Sequence, residues 1–263
     1  MLDDAALTFD RPGADQPPGG PPGDPVPLRP QRNFLAELFT AQVPERQVPP
    51  RAISWEGEAA THVFHLLEGC LRIYRTMEDG RRAILRFSYA GDLLCLSACD
   101  TYLFTAEAVT PVRFRRLTRH RFADLVDASV DLRAQLHAEV CGEMRIAQDQ
   151  IIRLGRTGAG ERVATFLLNA AHRAGACTIA PVQIEVPFGR LDIADYLGLT
   201  VETISREISK LKHEGLISTN GPHRIVLRRI GRLREIARMD ASALHGANER
   251  ESGASHHALT AAA

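Results

Sequence analysis

The sequence predicts an α+β fold in three parts: an N-terminal antiparallel β-barrel, one long dimerisation helix, and a C-terminal winged helix-turn-helix. Three observations carry this expectation. Short alternating apolar runs separated by glycine turns fill the first half of the chain. A long stretch without proline follows. Two short amphipathic segments joined through one glycine then precede an Asn-Gly hairpin signal.

The strand region is placed at 32–130. Ala59–Leu67 mixes β-branched and aromatic residues before the turn Glu68-Gly69. Cys70–Thr76 follows, with Leu71 and Ile73 on alternating positions. Asp79-Gly80 is a hairpin turn, because glycine reaches φ > 0 without a steric cost. Arg82–Tyr89 is the next strand, Gly91-Asp92 turns again, and Leu93–Leu96 resumes. Strand and turn at this spacing suggest a small barrel or sandwich.

The period then lengthens. Thr118–Val126 reads as a short helix, and Asp131–Leu154 as one long helix within a segment placed at 131–155. His137, Met144 and Ile151 fall at heptad a, and Val140, Ala147 and Leu154 at heptad d. At about 1.5 Å per residue this helix spans roughly 36 Å. Its seam either packs on the chain's own barrel or pairs in parallel with a second copy. The narrow 3.5-residue repeat favours the pair, with Val140, Met144, Ala147, Ile151 and Leu154 at the interface. Gly155, Gly158 and Gly160 predict a break and a hinge.

A second domain is placed at 156–240. Arg162–Arg173 is an amphipathic helix, and Ile184–Val186 a strand closed by Pro187. Arg190–Leu197 puts Ile193, Ala194 and Leu197 inward. Gly198 ends it, as a tight interhelix turn requires. Thr200 is a good N-cap for Val201–His213, which buries Ile204, Ile208 and Leu211. Ala194 supplies the small residue that two crossing helices need. Asn220-Gly221 turns the chain before Arg224–Leu227, completing the wing.

The second of these helices presents Glu202, Ser205, Arg206 and Ser209. One reading is a solvated face whose Glu202 and Arg206 pair at i, i+4. The other is a face of short hydroxyls around one acid and one guanidinium, able to approach base edges closely. Arginine reads guanine, glutamate accepts from cytosine, and an α-helix fits the major groove. On that reading Glu202, Ser205 and Arg206 contact bases, and Thr200, Thr203 and Ser209 contact phosphates.

Composition limits the remaining possibilities. The 263 residues hold 32 Lys and Arg against 32 Asp and Glu, so the chain as a whole is no polycation. Between Gly155 and Asp240, however, 13 basic residues face 9 acidic ones, a local excess that phosphate contact needs. No charge-free run is long enough for a bilayer span. Asp3 and Asp4 stand where a signal peptide would be basic, so a cytoplasmic location is expected. Residues 1–31 carry eight prolines and four glycines and read as a disordered arm, as does the tail at 241–263. Five scattered cysteines do not form a disulfide framework. Cys95 and Cys99 have a poor metal spacing, and Cys141 on the long helix is a possible redox handle. His256-His257 needs no role. No nucleophile elbow, phosphate loop or paired-carboxylate motif points to an enzyme.

Barrel, long helix and winged helix-turn-helix in this order resemble the Crp/Fnr superfamily of transcription regulators. The matching residues are His65-Leu66-Leu67-Glu68-Gly69, Asp79-Gly80-Arg81 and Gly91-Asp92 in a cyclic-nucleotide-binding-like barrel. Gly160-Glu161-Arg162-Val163-Ala164 and the run Asp192–Arg206 match in the C-terminal domain. Glu202, Ser205 and Arg206 resemble the Fnr/FixK branch. The resemblance implies a homodimer on TTGAT-N4-ATCAA, with half-sites about one helical turn apart, acting with RNA polymerase on low-oxygen or nitrogen-oxide respiration genes. Two departures narrow it. Asp92–Val112 holds no Lys or Arg to neutralise a cyclic nucleotide phosphate, and residues 1–69 hold no Cys for an iron–sulfur cluster. No cofactor is therefore expected, as in the FixK type. The alternative is a ligand-dependent sensor of the same fold, in which His62, His65 and Cys70 meet a haem.

Overall fold

A computed structural model describes residues 34–39, 45–97, 99–173, 181–221 and 223–237. The arm at 1–31, Cys177, and the tail at 241–263 with His256 and His257 lie outside the described residues.

A one-turn helix, α1 (Phe34–Glu37), precedes the strands. β1 (Glu45–Val48), β8 (Val112–Thr118), β3 (His62–Glu68) and β6 (Leu93–Leu94) form one antiparallel sheet, in that spatial order. The other runs β2 (Ala52–Ser54), β7 (Thr105–Ala108), β4 (Cys70–Thr76), β5 (Arg82–Tyr89). Alternation decides what is buried. Phe64, Leu66, Leu94 and Phe114 of the first sheet meet Leu71, Ile73, Ala106 and Ala108 of the second in a shared core. The two sheets stay separate and face each other as a sandwich, the second of the two forms the strand spacing suggests. β6 has two residues and β2 three, too few to carry hydrogen bonding from one sheet into the next. Period-two patterning specifies the buried face and says nothing about closure.

α2 (Arg119–Asp127) starts where Thr118 Oγ1 accepts a hydrogen bond from the Arg121 amide. Its Phe122 and Val126 close a satellite core with Leu35, Phe39 and Leu117. α3 (Val130–Arg156) has 27 residues, about 40 Å, and is capped by Ser129 Oγ accepting from the Leu132 amide. It begins one residue before the expected start and runs through Gly155. Only Thr157 and Gly158 separate it from α4 (Ala159–Arg173), so the expected glycine break shrinks to two residues. Arg162 holds this joint. Its guanidinium donates to the carbonyls of Leu154 (2.7 Å), Thr157 (3.0 Å) and Leu197 (2.9 Å), groups that helix ends otherwise leave unpaired. Gly160 serves close approach: a Cβ there would lie 3.1 Å from Glu207 Oε2 on the helix beyond.

The C-terminal domain comprises β9 (Val182–Glu185), α5 (Arg190–Leu197), α6 (Val201–His213), β10 (Ile217–Thr219), β11 (Arg224–Leu227) and α7 (Ile230–Ile236). α5 and α6 span the residues the pattern predicts. β9 lies one to two residues earlier than expected and pairs with β11, giving the wing sheet a third strand, β10-β11-β9. Val163 and Leu167 of α4 pack with Ile193, Ala194, Ile204, Ile208 and Leu211 beneath the helix pair.

α5 also docks on the β-sandwich. Phe87 of β5 stacks on Phe188, with ring centroids 3.8 Å apart and planes 6° from parallel. Asp192 of α5 accepts from Arg72 (2.9 Å) and Arg82 (3.3 Å), and Asp195 from Arg82 (3.2 Å). Arg72 is in turn held by Glu107 at 2.8 Å.

Candidate nucleic-acid interface

The turn between α5 and α6 fixes the exposed helix. Gly198 takes φ 60° and ψ 43°, a left-handed conformation that side chains with a Cβ resist. Thr200 follows as N-cap, and its Oγ1 accepts from the Thr203 amide at 3.2 Å. Ile204, Ile208 and Leu211 are buried at i, i+4 and i+7. That spacing turns the opposite face of α6 to solvent.

Glu202, Arg206 and Ser209 are exposed on that face, and Thr203 and Ser205 are half-buried. The intrahelical pair that a solvated face would use is not among the described ion pairs. Arg206 instead reaches the Thr203 hydroxyl at 3.4 Å, and the Thr203 and Thr200 hydroxyls lie 3.1 Å apart. Glu202 has its carboxyl held below the ordinary 4.5 by a hydrogen bond from its own backbone amide, then by the Thr200 hydroxyl. It is therefore a carboxylate at neutral pH, at the positive end of the α6 dipole. The surface offers one carboxylate and one guanidinium, each hydrogen-bonded to a threonine hydroxyl and neither in an ion pair among the described residues.

Pattern reading missed further cations. Arg190 is exposed at the start of α5, and Arg224, Arg228 and Arg229 are exposed on and after the wing. Arg228 donates to Ser218 Oγ at 3.1 Å, which fixes it along β10. The local excess of basic residues was the available signal, but it did not say which of them face outward.

The seam on α3 is also open. Val140, Met144, Ile151 and Leu154 are 44%, 57%, 69% and 39% exposed, and Ala147 is exposed with them. Only Gly142 of this helix is buried, so the sandwich does not cover the seam.

The sensor candidates are dispersed. His62 and His65 are three apart on β3 and so project to opposite faces. His62 shares a hydrogen bond with Thr61 Oγ1 at 2.8 Å, and His65 packs against Phe39 with centroids 5.5 Å apart. Cys70 is buried, and burial pushes its thiol up to about 12, so it is no thiolate near neutrality. Burial likewise pushes Cys95 up to about 11. Among the described residues no group of three or more His, Cys, Asp or Glu could hold a metal ion. Arg72, on β4 beside β7, is engaged by Glu107 and Asp192.

A helix pair with an open polar face, a β-hairpin wing and a β-sandwich ahead of them define a helix-turn-helix DNA-binding regulator. Residues 49–129 match the cyclic nucleotide-binding domain model, and residues 161–236 the Crp-like helix-turn-helix domain model. The chain is 36% identical over 172 residues to the transcriptional activatory protein AadR of Rhodopseudomonas palustris, covering 65% of this chain and 72% of that protein. It is 36% identical over 182 residues to the nitrogen fixation regulation protein FixK of Azorhizobium caulinodans, covering 69% and 73%. The structure of FixK2 from Bradyrhizobium japonicum superposes with a TM-score of 0.70 at 35% identity, over 76% of this chain and 99% of that one. The chain belongs to the Crp/Fnr superfamily of transcription regulators, in its Fnr/FixK-like branch, a family of regulators and not of enzymes. No helix among the described residues is long and apolar enough to cross a membrane.

Proposed function

We propose that the protein is a cytoplasmic transcription activator that binds a TTGAT-N4-ATCAA-like palindrome as a homodimer. Glu202 and Arg206 address the G·C pair of each half-site and Ser205 the outer thymine, while Thr200, Thr203 and Ser209 position α6 on phosphates. Val140, Met144, Ala147, Ile151 and Leu154 form the seam between the two copies. RNA polymerase is the partner at promoters. The controlled genes serve low-oxygen or nitrogen-oxide respiration, a reading that rests on the kinship with FixK-type regulators. No cofactor is required.

The observation that supports the reading is the exposed Glu202 and Arg206, which form no ion pair among the described residues, on a helix capped by Thr200. The test is a gel shift in air with purified protein, comparing the palindrome with one whose G·C pairs are exchanged. Retarded complex on the first alone is expected. Equal retardation of both abolishes base reading, and a haem absorption band with ligand-dependent retardation favours the sensor alternative.

A further inference from the structure

A cleft of about 90 Å3 opens where β5, the last turns of α3, the outer side of α4 and the end of α5 meet. Among the described residues its wall carries four arginines, Arg86, Arg153, Arg162 and Arg173, and no aspartate or glutamate. Guanidiniums gathered in one concavity repel each other unless something offsets them. Two are accounted for. Arg162 donates to three backbone carbonyls, and Arg86 pairs with Glu143 at 3.1 Å. The other two lack a counter-charge among the described ion pairs. Among the described residues Arg153 donates to the Asp149 carbonyl of its own helix at 3.1 Å, and Arg173 lies over the Tyr89 ring, 5.0 Å from its centroid.

Tyr89 and Tyr196 also line the cleft. Burial raises both phenols above their ordinary value, so they stay protonated and able to donate. Asn169 and Gln150 complete the polar lining, and Gln150 is anchored by donating to the Tyr196 carbonyl at 3.0 Å.

We propose that this cleft is a binding site for a small free oxyanion of the phosphate class, held by Arg153 and Arg173. Two guanidiniums from different helices suit such a group, because each supplies parallel donors to its oxygens. The site is separate from the base-reading face and needs no DNA. An anion there bridges α3 of the long helix to α4 of the C-terminal domain, so its occupancy stiffens the joint that Arg162 already holds.

The experiment is calorimetric titration of inorganic phosphate into the full chain, at constant ionic strength maintained with chloride. One saturable site per chain is expected. Arg153→Ala with Arg173→Ala should weaken it at least tenfold. Arg173→Lys alone should keep part of the affinity, because the charge remains while the planar fork is lost. Circular dichroism melts establish that each variant is folded. Equal phosphate affinity in the parent and the double variant overturns the proposal, as does phosphate heat no larger than that of added chloride. A double variant unchanged in phosphate binding but shallower in the salt dependence of DNA binding also overturns it, and makes the two arginines contacts to DNA backbone.

Discussion

α5 and α6 are neighbours joined by three residues, Gly198, Leu199 and Thr200, and both carry carboxylates, yet the chain treats them oppositely. On α5, Asp192 is 7% exposed and sits between Arg72 and Arg82. On α6, Glu202 and Arg206 stand in solvent without an ion-pair partner on their own helix. A charge removed from water needs its partners within the fold, whereas an exposed one costs little to leave open. The first arrangement fixes the C-terminal domain against the sandwich. The second leaves binding capacity for another molecule. Burial, more than residue type, separates the charges paired within the fold from those left in solvent.

Breaking the closed side should give the largest effect. Asp192→Ala strands Arg72 and Arg82 beside each other, and Glu107 and Asp195 compensate only in part. A loss of about 2–3 kcal/mol of unfolding free energy is expected by urea denaturation. A midpoint equal to that of the parent would show that the contact contributes no stability.

On the open side, Arg206→Ala should cost ~1–3 kcal/mol in binding to the palindrome and relax preference at the guanine. Its urea midpoint should stay unchanged, since surface side chains rarely matter by more than about 0.5 kcal/mol. A uniform loss across all DNA sequences would reassign the residue to the backbone.

Thr200→Ala tests whether the open face depends on its cap. About 1 kcal/mol of domain stability should be lost by thermal melting, because the Thr203 amide loses its acceptor.

The smallest effect is that of pH on Glu202. Its folded value lies below the ordinary 4.5, so its contribution is fully present above the unfolded value and disappears as pH falls through the folded one. The stability difference between the parent and Glu202→Gln should therefore be flat above pH 4.5 and shrink below it. A difference that grows on acidification would contradict the hydrogen bonds assigned to this carboxylate.

The helix pair was legible because each end carries its own chemical signal: Gly198 must be left-handed, Thr200 must cap, and Ile204, Ile208 and Leu211 must share a face. β4 and β5 were legible for the same reason, bounded by Gly69, Asp79-Gly80 and Gly91. β1, β2, β7 and β8 were not singled out. β8 alternates arginine with apolar residues, and β7 is the four-residue run Thr105–Ala108, whose small side chains match no period strongly. α7 escaped notice because seven residues hold too few turns to show a stripe. Glu202, Ser205 and Arg206 are the proposed base contacts because helical geometry places them away from the buried isoleucines. Arg190 and the wing arginines could not, since their exposure depends on strands that meet only after folding.

Local chemistry alone therefore specified the turns, caps, helix faces and strand faces, because each rests on interactions within a few residues. The tertiary structure decided what those elements meet: which of barrel and sandwich the strands form, a helix running on through Gly155, and Asp192 seated between two arginines more than a hundred positions away. Pairings across such distances depend on how whole surfaces pack, and no local pattern encodes which surface will arrive.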